Sequence, residues 1–381
     1  MPAWMDDDLD ERRRRGLYRR RRRVTSPQGP RIRIGDRDYL NFSSNDYLGL
    51  AADPRLARTA SRAARRFGCG AGASPLVSGH LPPARALERT LAEWEGTEAA
   101  LVFSSGFAAN LALVSSLVGR DDAIFSDELN HASLIDGCRL SRARVHVYRH
   151  GDANHLADLL NRHKARRRLI VSDSVFSMDG DLAPLPELYD LARRFDALLL
   201  LDEAHATGIL GTNGRGAAEL SPPPADLDPD AVIRVGTLSK ALGAQGGFIS
   251  GSRRLVRWLV NHARPYIFST ALAPPTAAAA RAAVRIVQSE PWRRQHVLEL
   301  SSRWGAKVPI VPLIVGNAEE AVRVSERLRR QGILVPAIRP PSVPEGTARL
   351  RISLTAGHGV EDVQRLMQAL AACGLAMGAS S

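Results

Sequence analysis

Two short stretches carry residues that could do chemistry together. In ALLLLDEAHATG (Ala197–Gly208) an apolar run ends on Asp202, with His205 three residues later. In AVIRVGTLSKALGAQGGF (Ala231–Phe248) a second apolar run leads to Thr237, Ser239 and Lys240, then to a glycine-rich turn. If both runs are strands, they deliver these side chains at their C-terminal ends, where open α/β sheets place ligands. A lysine on such a connection can hold a carbonyl compound as a Schiff base, and a nearby acid can pair with a pyridinium nitrogen. Asp202 and Lys240 supply that pairing, and the Thr237 hydroxyl can reach a phosphate. Taken singly, Asp202 reads as a helix cap and Lys240 as a surface lysine; the combination points to pyridoxal phosphate. The string DEAH also occurs in helicases, but no upstream GxxxxGK[ST] loop accompanies it here.

Two further junctions suit the same chemistry. FSSGFAAN (Phe103–Asn110) reads as strand, turn and helix start, so Gly106 and Phe107 would offer backbone N–H groups and the helix dipole to a phosphate. The same segment serves equally as an ordinary capped helix. SDELNHASLIDG (Ser126–Gly137) puts His131 at a similar junction, where its ring could stack on a flat cofactor or simply cap the helix. No zinc-ligand spacing is present, and no metal is expected.

These positions require a sheet. Apolar, β-branched runs at Ala99–Phe103, Ala123–Ser126, Val145–Tyr148, Leu169–Ser172, Leu198–Leu201, Val232–Val235 and Gly247–Ile249 read as seven strands. Helical patterns near 107–118, 132–141, 152–164 and 187–195 separate the earlier ones. That alternation predicts an α/β fold: a large domain over 43–290 with a mostly parallel seven-stranded sheet covered on both faces. The Pro-rich piece Ser221–Pro229 is a surface loop within it. Residues 1–42 read as an N-terminal helix to about Arg23, followed by short strands at Arg31–Ile34 and Tyr39–Phe42. Residues 291–381 read as a smaller C-terminal α+β domain, with strands at 309–315, 333–338 and 348–354 and helices at 317–331 and 359–372. A chain of 381 residues is long enough for two such regions.

Composition narrows the function classes. Hydrophobic residues make up 44% of the chain and charged residues 24%, as in ordinary globular proteins. The formal net charge is +12, and nine arginines fall between Arg12 and Arg23, directly after an acidic run from Asp6 to Glu11. No basic run is interleaved with aromatics, so this stretch reads as a solvated helix rather than a nucleic-acid arm. The excess charge can still attract an anionic substrate such as an acyl-CoA or an acidic carrier protein. Cys69, Cys138 and Cys373 form no CxxC pair, which points to a reducing compartment without disulfides. With no apolar stretch long enough for a signal sequence or a bilayer span, a cytoplasmic protein without a membrane partner is expected.

Six segments then occur in an order that resembles the α-oxoamine synthases: SSNDYLGL (Ser43–Leu50), SGFAAN, LNHASLIDG, DSVFSMDGDLAPL (Asp173–Leu185), LDEAHATGILGTNGRG and GTLSKALGAQGG. The likeness runs from about residue 10 to 372. Members of that family are fold-type I PLP-dependent transferases that condense an amino acid with an acyl thioester and release carbon dioxide. The resemblance implies that Lys240 carries the cofactor and then acts as base at the substrate's α-carbon. It gives Asp202 to the pyridine nitrogen, His131 to the ring face, His205 and Ser177 to the phenolic oxygen, and Gly106, Phe107 and Thr237 to the phosphate. Ser269 and Thr270, in YIFST, are similar to residues that reach the phosphate of a neighbouring subunit, which implies a homodimer with shared active sites. Arg351, in TARLR, would grip the amino-acid carboxylate bidentately. Asn45 would also touch substrate, and Arg19 or an adjacent arginine would bind the acyl substrate.

Within the family, AIRPPSVPEGTARLRISLTAGH (Ala337–His358) is most similar to the members that join L-alanine to a pimeloyl thioester, on CoA or a carrier protein, in biotin biosynthesis. Siblings use glycine with acetyl- or succinyl-CoA, or serine with a long-chain acyl-CoA. The chain departs from the family pattern at Pro82 and Pro83, after the glycine loop, and at Gln245, where relatives carry Gly, Ser or Ala. Both departures bear on the fit of the acyl group, and neither removes a catalytic group. A sibling condensation such as glycine C-acetyltransfer, a fold-type I aminotransferase, and a nucleic-acid-binding protein on a degenerate enzyme scaffold are the alternatives. Intact Lys240, Asp202 and Arg351 argue against the last.

Overall fold

Each of the seven apolar runs forms a strand, and several of them continue past the point where the apolar signal stops. In the computed structural model, which describes residues 3–375, the strands in chain order are β1 (Arg31–Ile34), β2 (Arg37–Asn41), β3 (Ala99–Phe103), β4 (Ala123–Asp127), β5 (Arg144–Tyr148), β6 (Arg168–Asp173), β7 (Leu198–Asp202), β8 (Val232–Thr237), β9 (Gly247–Gly251), β10 (Ile310–Gly316), β11 (Ile333–Leu334), β12 (Ala337–Ile338) and β13 (Ala348–Ser353). Residues 1, 2 and 376–381, at the outer ends of the expected terminal regions, lie outside the described residues. The extra ladder positions at the C-terminal ends of β4, β6, β7 and β8 add Asp127, Asp173, Asp202 and Thr237. The sheet therefore ends in a row of polar groups set by hydrogen-bond register rather than by hydrophobicity.

The chain falls into two units. The larger comprises residues 50–177 and 181–295 and holds a seven-stranded sheet in the order β3-β9-β8-β7-β6-β4-β5. Strands β8, β7, β6, β4 and β5 run parallel, and β9 lies antiparallel to both β3 and β8. The inner parallel strands β4, β6, β7 and β8 are largely buried while edge strand β5 is mostly exposed, and Ile124, Leu169, Val171, Leu200, Ile233 and Ile249 pack with Leu113 and Val114 of the helix Gly106–Leu117 and Leu259 of the helix Arg253–His262. The reversal into β9 is possible because only a short turn follows β8, where a parallel partner would need a long crossover. That turn carries Lys240. Glycine is required in the turn and at its exit: at Gly243 (φ 59°) a Cβ would fall 2.4 Å from Ala51 N, and at Gly247, the first residue of β9, a Cβ would fall 2.6 Å from the backbone of Gly106.

The smaller unit comprises residues 1–49, 178–180 and 296–381. The β1–β2 hairpin pairs in parallel with β11, while β10, β13 and β12 form a second, antiparallel sheet. The stretch 333–338 reads as one strand but forms two. Pro336 has no N–H to continue a ladder, so β11 pairs with β2 and β12 with β13. The N-terminal helix, expected to reach about Arg23, ends at Arg14. Asp8, Asp10 and Glu11 pair with Arg12, Arg13 and Arg14, but the acids stop at Glu11 and Gly16 (φ 63°) turns the chain. No helix among the described residues is long and apolar enough to cross a membrane.

Candidate active site

Because β7 and β8 are parallel neighbours with Asp202 in register with Val235, their C-terminal ends lie side by side. The turn after β7 carries His205, which is buried, and the turn after β8 carries Lys240, which is half-buried. Lys240 Nζ and His205 Nε2 lie 2.8 Å apart. The two acids of DEAH have different tasks. Glu203 accepts from Ser174 Oγ at 2.7 Å and from the N–H groups of Ala217 and Ala218 at 2.9 Å each, so it braces the polypeptide behind the site. Asp202 accepts from Asn110 Nδ2 at 2.6 Å and from Ala204 N at 2.8 Å. Both donors are neutral, which leaves the remaining lone pairs of this buried carboxyl for a cation.

Asn110 starts a chain of bonds that links the acid to the histidine. Its Nδ2 also donates to Ser133 Oγ at 2.9 Å, and Ser133 donates to His131 Nδ1 from Oγ at 2.7 Å and from its N–H at 3.3 Å. His131 caps the helix Ala132–Ser141, and its own N–H donates to Asp173 Oδ2 at 2.8 Å. The residue is nonetheless partly open to solvent. Enough protein surrounds it, however, that desolvation holds its pKa below the usual value, helped by Lys240 and opposed by Asp202. Asp173 stands in register with Asp202 on the neighbouring strand. Burial, reinforced by the charge of Asp202, pushes its pKa well up, so Asp173 retains its proton far more readily than an exposed acid.

The opposite wall is the start of the helix Gly106–Leu117. Ser105 Oγ accepts from Ala108 N at 3.0 Å, and the earlier N–H groups of the helix, at Gly106 and Phe107, have no helical acceptor. Contact between Gly247 and Gly106 holds this helix end on the start of β9, and a Cβ at Gly106 would lie 3.3 Å from Thr237 Cβ and Oγ1. Thr237 Oγ1 lies 2.8 Å from Ser239 Oγ and donates to Gly246 O at 3.1 Å. Two hydroxyls and a helix N-terminus converge there, the donor set of an anion site. An amine beside an imidazole, a buried acid open to a cation, an exposed flat ring and an anion cradle together fit pyridoxal phosphate.

Other expected site residues lie further along the chain. Ser177 is half-buried in the loop after β6. Ser269 and Thr270 follow the short helix Arg264–Ile267, Thr270 on the surface beside exposed Phe268. In the smaller unit Arg351, on β13, is buried and donates to Asn45 Oδ1 at 3.1 Å, Ser353 Oγ at 2.7 Å and Tyr47 OH at 3.3 Å. The structure thus brings Arg351 and Asn45 together. Burial raises the Tyr47 pKa and the Arg351 charge opposes it, so the phenol stays protonated. Arg19 is exposed in the irregular segment after the first helix, where Arg339 donates to Gly16 O and, at 3.3 Å, to Tyr18 O. Sequence reasoning assigned no role to Asn110, Ser133 or Asp173. All three fall inside the family-like segments, which was the available signal, but their tasks depend on pairings across strands.

Residues 37–370 match the family described as aminotransferase class I and II. The chain is 49% identical to an 8-amino-7-oxononanoate synthase of Anaeromyxobacter dehalogenans (strain 2CP-1 / ATCC BAA-258), over 97% of this chain and 95% of that one. Among solved structures it is similar to a serine palmitoyltransferase from S. paucimobilis with PLP and myriocin bound, with 28% identity and a TM-score of 0.90 over 97% of this chain and 96% of that one. It is also similar to the 8-amino-7-oxononanoate synthase from Francisella tularensis, with 27% identity and a TM-score of 0.75 over 88% of this chain and 97% of that one.

Proposed function

The chain belongs to the class I and II aminotransferase family and, within it, to the α-oxoamine synthases, and we propose that it joins L-alanine to a pimeloyl thioester in biotin biosynthesis. Carbon dioxide and a free thiol leave in the reaction. Pyridoxal phosphate, when bound, supplies an electron sink for the carbanion at the amino acid's α-carbon. Lys240 would hold it through Nζ, Asp202 would face its ring nitrogen, and the Gly106–Phe107 helix start with Thr237 would hold its phosphate. His131 offers a ring to stack on it, and His205 and Ser177 would bond its phenolic oxygen.

The chain's own groups then move the protons. The Lys240 amine takes the α-proton of alanine, and His205, 2.8 Å away, helps hold Nζ in place. Arg351 binds the substrate carboxylate beside Asn45, and the buried tyrosine Tyr47 keeps its guanidinium oriented. Arg19 or a neighbouring arginine meets the anionic acyl carrier, either CoA or a carrier protein. Ser269 and Thr270 complete the phosphate site of a second subunit in a cytoplasmic homodimer. The observation that carries this reading is the placement of Lys240, His205 and Asp202 at the ends of two adjacent strands. Its test is incubation of the PLP-loaded protein with alanine or glycine against a panel of acyl-CoA and acyl-carrier thioesters, read by product mass. Turnover is expected with alanine and the pimeloyl thioesters. Product only from glycine and acetyl-CoA would move the chain to a sibling reaction, and full turnover by Lys240→Ala would overturn the assignment.

A further inference from the structure

The loop that carries Ser177 is tied down by a histidine to which none of the steps above gives a task. His150 follows β5. Its Nδ1 donates to Asp127 Oδ1 at 3.0 Å and its Nε2 to Asp181 Oδ2 at 2.8 Å. A neutral imidazole has one N–H, so serving both carboxylates takes an imidazolium. Its surroundings favour one. Asp127 is buried at the end of β4, and its two oxygens also accept from Leu129 N and Gly151 N at 2.9 Å each. Glu128 Oε1 accepts from His150 N at 2.8 Å, and the adjacent cation, Arg149, is turned to Asp152 at 2.7 Å. The charged groups facing the ring are thus Asp127, Glu128 and Asp181. The bonds to Asp127 and Asp181 hold its pKa up to about 10 against the opposing effect of burial.

The other end of this bridge is a small hairpin. Val175 pairs with Leu182, Phe176 N donates to Asp181 O at 3.0 Å, and Ala183 N donates to Ser174 O at 3.1 Å. Its base is fixed to the end of β7, where Ser174 N donates to Asp202 O at 2.9 Å. The edge of the His150 ring meets buried Phe176 with centroids 4.3 Å apart and planes at 84°. Ser177 comes directly after Phe176. The hairpin is therefore anchored to the sheet twice, at its base and through Asp181.

We propose that His150 is a positioning residue for the reaction: its imidazolium, bridging Asp127 and Asp181, fixes the hairpin that presents Ser177 to the cofactor's phenolic oxygen. The Ser177 part rests on the reading given under Proposed function. The test compares PLP-loaded wild type, His150→Gln, Asp181→Asn and the double variant. Hydrogen exchange of residues 174–183 is expected to speed up at least tenfold in each single variant, and the double variant to be no faster than the faster single. The pH at which the bound cofactor's absorption changes is expected to shift by half a unit or more, with kcat lowered severalfold and the KM for alanine within twofold of wild type. Unchanged exchange, or effects that multiply in the double variant, would overturn the proposal. So would faster exchange with the spectral transition and kcat left at wild type, since the bridge would then order the loop without positioning Ser177. If His150→Gln does not fold, Asp181→Asn removes the same bridge from its outer side. The exchange readout needs no substrate, so a wild type inactive on alanine and pimeloyl-CoA would count against the functional reading and leave this one standing.

Discussion

Asp202 and Glu203 are chain neighbours whose side chains leave the end of β7 in different directions, one toward the site and the other toward the packing behind it. Asp202→Asn removes the negative charge meant for a ring nitrogen yet can keep a bond to Ala204 N. Its kcat is expected to fall at least about 100-fold, with the urea midpoint little changed. Glu203→Gln should do the reverse. An amide nitrogen would meet donors at a position that now accepts from Ser174, Ala217 and Ala218, costing about 1–3 kcal/mol of stability. Paired urea melts and steady-state kinetics check both. The strand end made Asp202 the acid expected at the ligand; what occupies Glu203 was not legible, because its partners are loop groups fixed only by the fold. His358 gives a pH test. It stacks on Phe42 at 4.3 Å, accepts from Thr355 N at 3.1 Å and donates to Asn41 O at 3.1 Å, and burial lowers its pKa to about 4. The unfolded chain binds this proton more readily, so the contribution is complete above about pH 6.5 and is lost as pH falls toward 4, a loss of about 3 kcal/mol. Urea midpoints measured across that window should fall, and His358→Gln should flatten the slope.

Among the elements, the seven central strands were legible as apolar runs, most clearly the buried parallel ones, which are continuously apolar. Their last residues were less so: Asp127 and Asp173 join the ladder through strands separated from them by a helix, and Thr237 through its register with Gly247 of β9. The same limit explains the 333–338 stretch, where β-branched residues signal a strand but only Pro336 and the choice of two partners decide that there are two. The end of the site proposed for the phosphate depends on two elements meeting without side chains, Gly247 of β9 against Gly106 of the helix. Gly247→Ala would push them apart, with an expected loss of about 1–3 kcal/mol of stability. Because the shift displaces the helix N–H groups, PLP affinity should also weaken at least tenfold, about 1.4 kcal/mol. Denaturant melts and a PLP titration followed by absorbance measure the two effects separately.

For the whole molecule, the proposed homodimer with shared sites makes a quantitative forecast. Under that proposal, subunits carrying Lys240→Ala would lack the anchoring amine, and subunits carrying Ser269→Ala with Thr270→Ala would lack the phosphate contacts proposed to reach a partner. If the two contributions meet in one site, random re-pairing of inactive parents makes half the dimers mixed, each with one intact site, and restores about a quarter of wild-type activity. No recovery after mixing and refolding would mean each subunit builds its site alone. The pairing of β2 with β11 has a different kind of consequence, one that begins on the ribosome. Leu40 meets Ile333 across about three-quarters of the length of the polypeptide. At 5–20 residues per second, roughly 15–60 s pass between synthesis of the two strands. During that interval the nascent β1–β2 hairpin has an open edge, while the larger unit, almost contiguous in sequence, can already collapse. Such an edge is a template for aggregation. Truncations ending shortly before Ile333 leave it permanently open, and they should collect in the insoluble fraction even though every group around Lys240 in the larger unit has been made.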